Sequence, residues 1–361
     1  MRLSAFTRLA ICFLAVVPTT PTYSQPASGL SPAVPVEPIP AIVDAFRSHA
    51  VVTFSDPHGV DQLEAFELSV VSDPRIRGIV NDVVIENGNA RYQDLMDKFV
   101  RGETVPYPML RRVWDETTQP QAGITTGVPA LYRTIRDVNA KLPPAQQLRV
   151  LLGDPPIDWD TVRNRDDYDK WFNQRDTHPA DLIQREVLAK KRHALVVYGQ
   201  LGHTERKNVV ANYETEGPAQ TLISRLERRT GIRAFTIWWS LDVAQFQADA
   251  VSWPVPSLAL IHGTTIGATD FGLFSGNTIR VAVKDGKIVP IPKEQWRTVK
   301  SEDLFDAILY LGGPSAVSSK PLSPSVCSDK GYVETRLARM TLIGLPRREL
   351  ERLKNLCGLP N

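Results

Sequence analysis

Apolar residues recur along this chain in two alternating periods. Short apolar runs at Val51 to Phe54, Val83 to Ile85, Arg149 to Leu152, Ala194 to Tyr198 and Ala234 to Trp238 read as strands, and Val83 to Ile85, rich in β-branched residues, is long enough for a buried one. Between them, apolar side chains fall at every third or fourth position. Asp61 to Val71 carries Leu63, Phe66, Leu68 and Val70, and the stretch after Ala90 carries Tyr92, Leu95, Met96, Phe99 and Val100. Tyr107 to Trp114, Ala130 to Leu142 and Thr221 to Arg229 also read as helices, and Asp167 to Lys191 as a long helical region that Pro179 interrupts. Strand alternating with helix predicts an α/β fold, a mainly parallel central sheet with helices on both faces. Ala307 to Leu311 reads as a further strand.

The pattern changes from Leu241 to Pro292, where Gly, Thr, Pro and aromatic residues dominate. Thr278 to Val283 and Lys287 to Ile291, joined at Asp285-Gly286, predict a β-hairpin, so 241–292 reads as an insertion or lid in a domain spanning 42–315. A helical C-terminal tail, 316–361, follows, its last helix starting at Pro346. At the other end, Arg2 and Arg8 flank the short apolar core Leu9 to Val17, and small residues follow at Thr22-Tyr23-Ser24. Residues 1–24 therefore read as a signal peptide, and the protein as exported, periplasmic or secreted. Residues 25–41, rich in Pro, Ser and Ala, read as an extended linker. The leader's apolar run falls far short of the ~20 residues that span a bilayer, so no integral span is expected in the mature protein.

Of the 42 Lys and Arg, two lie in the leader, leaving 40 against 40 Asp and Glu. A chain so balanced has no electrostatic case for nucleic acid or an anionic membrane, and the expected partner is a small molecule or peptide. Cys327 and Cys357 remain after the leader is removed. In an exported protein they are candidates to pair and close a loop of roughly 30 residues.

Candidate chemistry gathers where the strands end. Asp56 and His58 follow the first strand, Glu86 the second, Asp154 the third and His203 the fourth. In a parallel sheet these turns share one edge, outside the carboxyl ends of the strands where α/β folds bind ligands. Two His with two or three carboxylates can share proton transfers, and His58, Glu86 and His203 are also candidate ligands for a divalent metal. Blander roles compete: Asp154 before Pro155-Pro156 suits a turn cap, Asp56 a helix cap, and Asn87 and Asn89 turn and capping duties. His49, His178, His193 and His262 read as surface or structural residues. There is no GxSxG elbow, Walker loop, GxGxxG after a strand or HExxH, which disfavours a common serine hydrolase or a nucleotide enzyme.

At these residues the chain resembles the erythromycin-esterase/ChaN-like superfamily, which includes the Tiki-type proteases. That family's Gly-x-x-His turn, with an acid after the Gly, is similar to Ser55-Asp56-Pro57-His58. Its strand ending in Glu before Gly-Asn is similar to Glu86-Asn87-Gly88-Asn89, while Asp154 in LLGDPP and His203 in GQLGH match exported bacterial relatives. Ser55 replaces the family Gly, and Asp56 replaces its Glu with a shorter reach. The resemblance implies a pocket at this edge and one of three activities: ester hydrolysis by His-activated water, metal-dependent peptide cleavage, or haem binding without hydrolysis. The resulting expectation is a hydrolase-like protein with His58, Glu86, His203, Asp154 and Asp56 at the site. A haem or hydrophobic-ligand binder is the alternative.

Overall fold

The computed structural model describes residues 29–200, 202–207, 220–241, 243–274, 281–284, 287–296, 298–319 and 321–359. The expected signal peptide at 1–24, the hairpin tip at Asp285-Gly286 and Leu201 lie outside the described residues. Ten strands are described: β1 (Pro35–Val36), β2 (Val51–Asp56), β3 (Asp82–Asn89), β4 (Arg149–Asp154), β5 (Ala194–Gly199), β6 (Phe235–Trp239), β7 (Ser257–Leu260), β8 (Val281–Lys284), β9 (Lys287–Pro290) and β10 (Ala307–Tyr310). Eight of them form one sheet in the order β1-β7-β10-β6-β2-β5-β3-β4. Every pairing from β10 to β4 is parallel, while β7 runs antiparallel to β10 and to β1. β8 and β9 form the expected hairpin apart from the sheet.

The central strands carry no polar face because both of their faces are covered. Val52, Phe54, Val83, Ile85, Val150 and Leu152 pack beneath the helices Asp61–Ser72 and Gly127–Asn139. On the opposite face Val51, Val84, Leu151, Val196 and Tyr198 meet Thr177–Glu186 and Leu222–Thr230. The exposed side of edge strand β4 is closed by one side chain: Gln93 donates to Val150 O at 2.7 Å and accepts from Leu152 N at 2.9 Å. Such a mimic of a neighbouring strand blunts an edge that could otherwise pair with another chain.

Four local expectations change. Glu86 to Asn89 do not form a turn, because β3 runs fully buried through Asn89 with a register shift after Ile85. Gly88 permits this, since a Cβ there would sit 2.5 Å from Leu152 Cδ2 and 2.9 Å from the Tyr132 hydroxyl. The long helical region breaks at residues 173–176 instead of at Pro179, which lies in the first turn of Thr177–Glu186, where a missing N–H costs nothing. The segment expected to be extended pairs as β1 and enters the helix Pro38–Ala45. Part of the 241–292 segment joins the sheet as β7.

The C-terminal helices Pro324–Ser328, Lys330–Leu342 and Arg347–Leu356 are stapled by the Cys327–Cys357 disulfide across 30 residues. Their own apolar core is small, built on Val326, Val333, Met340 and Leu353. Loop entropy therefore carries much of their stability, and changing both cysteines to serine should cost about 3 kcal/mol in chemical denaturation at neutral pH. An unchanged midpoint would show that the staple contributes nothing.

Candidate functional site

β2, β3 and β5 lie side by side and present Asp56, Glu86 and Gly199 at one edge. The chain leaves β2 through Asp56-Pro57-His58-Gly59, and His58 adopts φ +62°, a left-handed conformation uncommon for a residue with a Cβ. Asp56 holds it there, with Oδ1 accepting from the His58 backbone N–H at 2.7 Å and Oδ2 lying 2.6 Å from ring Nδ1. The opposite ring nitrogen, Nε2, is 2.9 Å from Glu86 Oε2. The imidazole is thus clasped between two carboxylates. Burial alone would lower the His58 pKa, but the charges of Asp56 and Glu86 outweigh it and hold the ring well above its ordinary value, as an imidazolium.

Glu86 is the hub, 1% exposed. Its Oε2 also accepts from the Gly199 backbone N–H at 2.6 Å, and Oε1 accepts from Gln119 Nε2 at 2.8 Å and from the Arg175 guanidinium. Burial pushes the carboxyl up, and the cations Arg175 and His58 overcome that, leaving it well below the usual carboxylate range. Four donors on two oxygens make Glu86 a saturated anion that fixes both cations.

His203 enters from the turn after β5. Its Nδ1 is 2.7 Å from Asp176 Oδ1, which also accepts from Leu222 N at 2.9 Å, and its ring meets Tyr198 edge-on. Burial would lower the His203 pKa, and Asp176 reverses the sign, raising it above the ordinary value. With Nδ1–H on Asp176, the neutral ring presents Nε2 as a base, and among the described residues Nε2 has no hydrogen-bond partner. A residue that orients a base is the arrangement that activates a nucleophile.

Gly199 is where the two halves touch. A Cβ there would lie 2.7 Å from Glu86 Oε2 and 3.2 Å from His203 Cδ2. Four donors hold Glu86, so it cannot swing aside, and Gly199→Ala should cost roughly 1–3 kcal/mol by overpacking. Equilibrium unfolding that matches the parent protein would show that the hub yields.

Asp154 does not reach this group. It is fully buried and accepts from Thr118 N at 2.7 Å and Thr118 Oγ1 at 2.5 Å, and burial lifts its pKa to about 7 despite those bonds. It fixes the loop that delivers Gln119. Asn89 caps the turn at Ala90–Tyr92 through Arg91 N and donates to Glu116 O and Ile157 O. Behind His58, Glu67 is buried beside a cavity of about 20 Å³, and burial together with Asp56 and Glu64 drives its carboxyl well above the ordinary range.

Gln119, Arg175 and Asp176 complete the site without any signal in the hydrophobic pattern. Arg175 and Asp176 occupy the break between two helices that the periodicity runs together, and Gln119 lies in an aperiodic Thr-Thr-Gln-Pro loop. The arrangement does not fit a metal shell. His58 spends both ring nitrogens on carboxylates, and among the described residues no group of three or more His, Cys, Asp or Glu could hold a metal ion.

No family profile and no curated protein matches the sequence. Solved structures are similar to this chain only at low scores. A Bacillus cereus protein is 11% identical with a TM-score of 0.47, and a succinoglycan biosynthesis protein is 10% identical with 0.48; each alignment covers 81% of this chain and 96% of the other. ChaN of Campylobacter jejuni, a structure with cofacially bound haem, is 10% identical with a TM-score of 0.36, covering 56% of this chain and 86% of its own. The fold and site define an α/β protein with a His, carboxylate and Arg centre at the carboxyl edge of its parallel strands.

Proposed function

We propose that the chain is an exported hydrolase-like protein that activates water with His203. The observation carrying this reading is the His203–Asp176 pair, whose second ring nitrogen is uncommitted among the described residues, beside the anchored Glu86 centre. In this reading Nε2 takes a proton from water as the oxygen attacks an ester or amide carbonyl. The same nitrogen returns that proton to the departing alcohol or amine, so the ring ends as it began. Asp176 keeps Nδ1–H in place and balances the charge on the transient imidazolium. Glu86 is a positioning residue, and His58 is a fixed cation in place of the base that the motif suggested. Export draws support from the basic and apolar start of the chain and from the Cys327–Cys357 disulfide.

The test is a panel of chromogenic esters and short peptides offered to the purified mature chain, with a haem titration alongside. Turnover above buffer on at least one substrate, with no Soret change at micromolar haem, is the expected result. A Soret band without hydrolysis of any substrate would replace this reading with a haem binder.

A further inference from the structure

The loop that delivers Gln119 to Glu86 is gripped from a distant part of the chain. Arg336, on the helix Lys330–Leu342, is 1% exposed and points its guanidinium into that loop. One terminal nitrogen donates to the carbonyls of Pro120 at 2.7 Å and Ala122 at 2.6 Å, and the other to Asp115 Oδ1 at 3.2 Å. The Tyr332 hydroxyl, one turn earlier, donates to the same carboxylate oxygen at 3.0 Å. Backbone bonds continue the contact, from Thr126 N to Pro321 O at 3.1 Å and from Ser323 N to Ile124 O at 2.9 Å.

The geometry points to the disulfide-stapled C-terminal helices as a strap for the site, with Arg336 as a positioning residue that acts on Glu86 through Gln119. Residues 115–122 form no regular element beyond Asp115 and carry both side chains that reach across the edge, Thr118 to Asp154 and Gln119 to Glu86. A short loop of polar residues has little apolar area with which to hold its own conformation. Asp154, Trp159 and Tyr168 hold the loop before Gln119, at Thr117 and Thr118, and Arg336 holds it directly after, at Pro120 and Ala122. Its two bonds to loop carbonyls, at Pro120 and Ala122, limit the reach of the Gln119 amide from the C-terminal side.

The inference concerns the same centre as the proposed function, but its readout is a titration, so failure of the hydrolase reading leaves it standing. Glu86 is faced by His58, Arg175, His203, the Gly199 N–H and Gln119. A hydrogen bond donated to a carboxylate favours its ionised form, so withdrawing Gln119 raises the pH at which Glu86 titrates. The experiment is a carbon-13 titration of the Glu86 carboxyl in the full chain, comparing the parent with Arg336→Met, Gln119→Leu and the double variant. Each single change should move the Glu86 midpoint upward by a similar amount, about one pH unit, and the double variant should move it no further. Should Arg336→Met fail to fold, Arg336→Lys carries the test, because its single nitrogen cannot serve the carbonyls of Pro120 and Ala122 and the Asp115 carboxylate as the two terminal nitrogens of Arg336 do. A Glu86 midpoint unmoved by the Arg336 variant, or single shifts that add in the double variant, overturns the inference.

Discussion

Glu86→Ala should destabilise the protein by about 3–5 kcal/mol in urea or guanidinium unfolding at pH 6, among the largest effects of any single change at this site. The physical reason is what the substitution leaves behind. The His58 imidazolium and the Arg175 guanidinium, whose side chains are 28% and 13% exposed, would lose their shared counter-charge, and the Gly199 N–H and Gln119 amide would lose an acceptor. The pH dependence has two limbs of opposite sign. Glu86 is lowered from 4.5, so its contribution is full above 4.5 and is lost as pH falls through the depressed folded value. His58 is raised from 6.5, so its contribution is full below 6.5 and is lost as pH rises through the elevated folded value. The pair is worth most between these limits, and Glu86→Ala should flatten both limbs. Asp154 works the other way. Raised from 3.8 to about 7, it takes stability away as pH climbs through that interval. Loss of less than 1 kcal/mol in Glu86→Ala would mean the hub is no hub.

His203→Ala should leave the fold nearly intact and reduce turnover of any hydrolysed substrate by 10²- to 10⁴-fold, roughly the range for a positioned acid–base group. His203 is reached through one side-chain bond to Asp176, and no buried cation depends on it for charge balance, so little stability is at stake. Asp176→Asn separates orientation from simple packing. The ring pKa is raised above 6.5 by Asp176, and the base must be neutral, so activity in the parent should rise with pH through that raised value. In Asp176→Asn the rising limb should move to lower pH while the plateau falls, because the ring loses both its proton-stabilising charge and its fixed tautomer. A plateau that falls with no movement of the limb would assign Asp176 a structural role only.

The fold was legible because its strands are short β-branched runs and its helices keep the 3.6-residue period. The sheet order was not. Nothing in the runs at β2, β3 and β5 tells that β5 inserts between the other two, an arrangement settled by long-range packing on both faces. Asp56, His58, Glu86 and His203 were visible as polar residues at strand ends, and they gather at that edge. Their roles were not visible, because the state of an imidazole depends on what faces each nitrogen. His58 reads in sequence as a proton-transfer group or a metal ligand, and in the structure it lies between Asp56 and Glu86, whose charges raise its pKa. Arg175 and Asp176 were hidden by the helical period on either side of them, and Pro179 drew the break three residues late. The reach of Arg336 to Pro120 spans 216 positions, and no local pattern encodes it.

The two histidines are expected to divide their labour: His58 holds its protons, and His203 exchanges one. A nitrogen-15 NMR titration of both rings in the protein reads this directly. The account predicts that His58 keeps both N–H protons well above pH 6.5, while His203 loses its Nε2 proton first and keeps Nδ1–H on Asp176. A His58 ring that releases a proton at or below pH 6.5, ahead of His203, would contradict it.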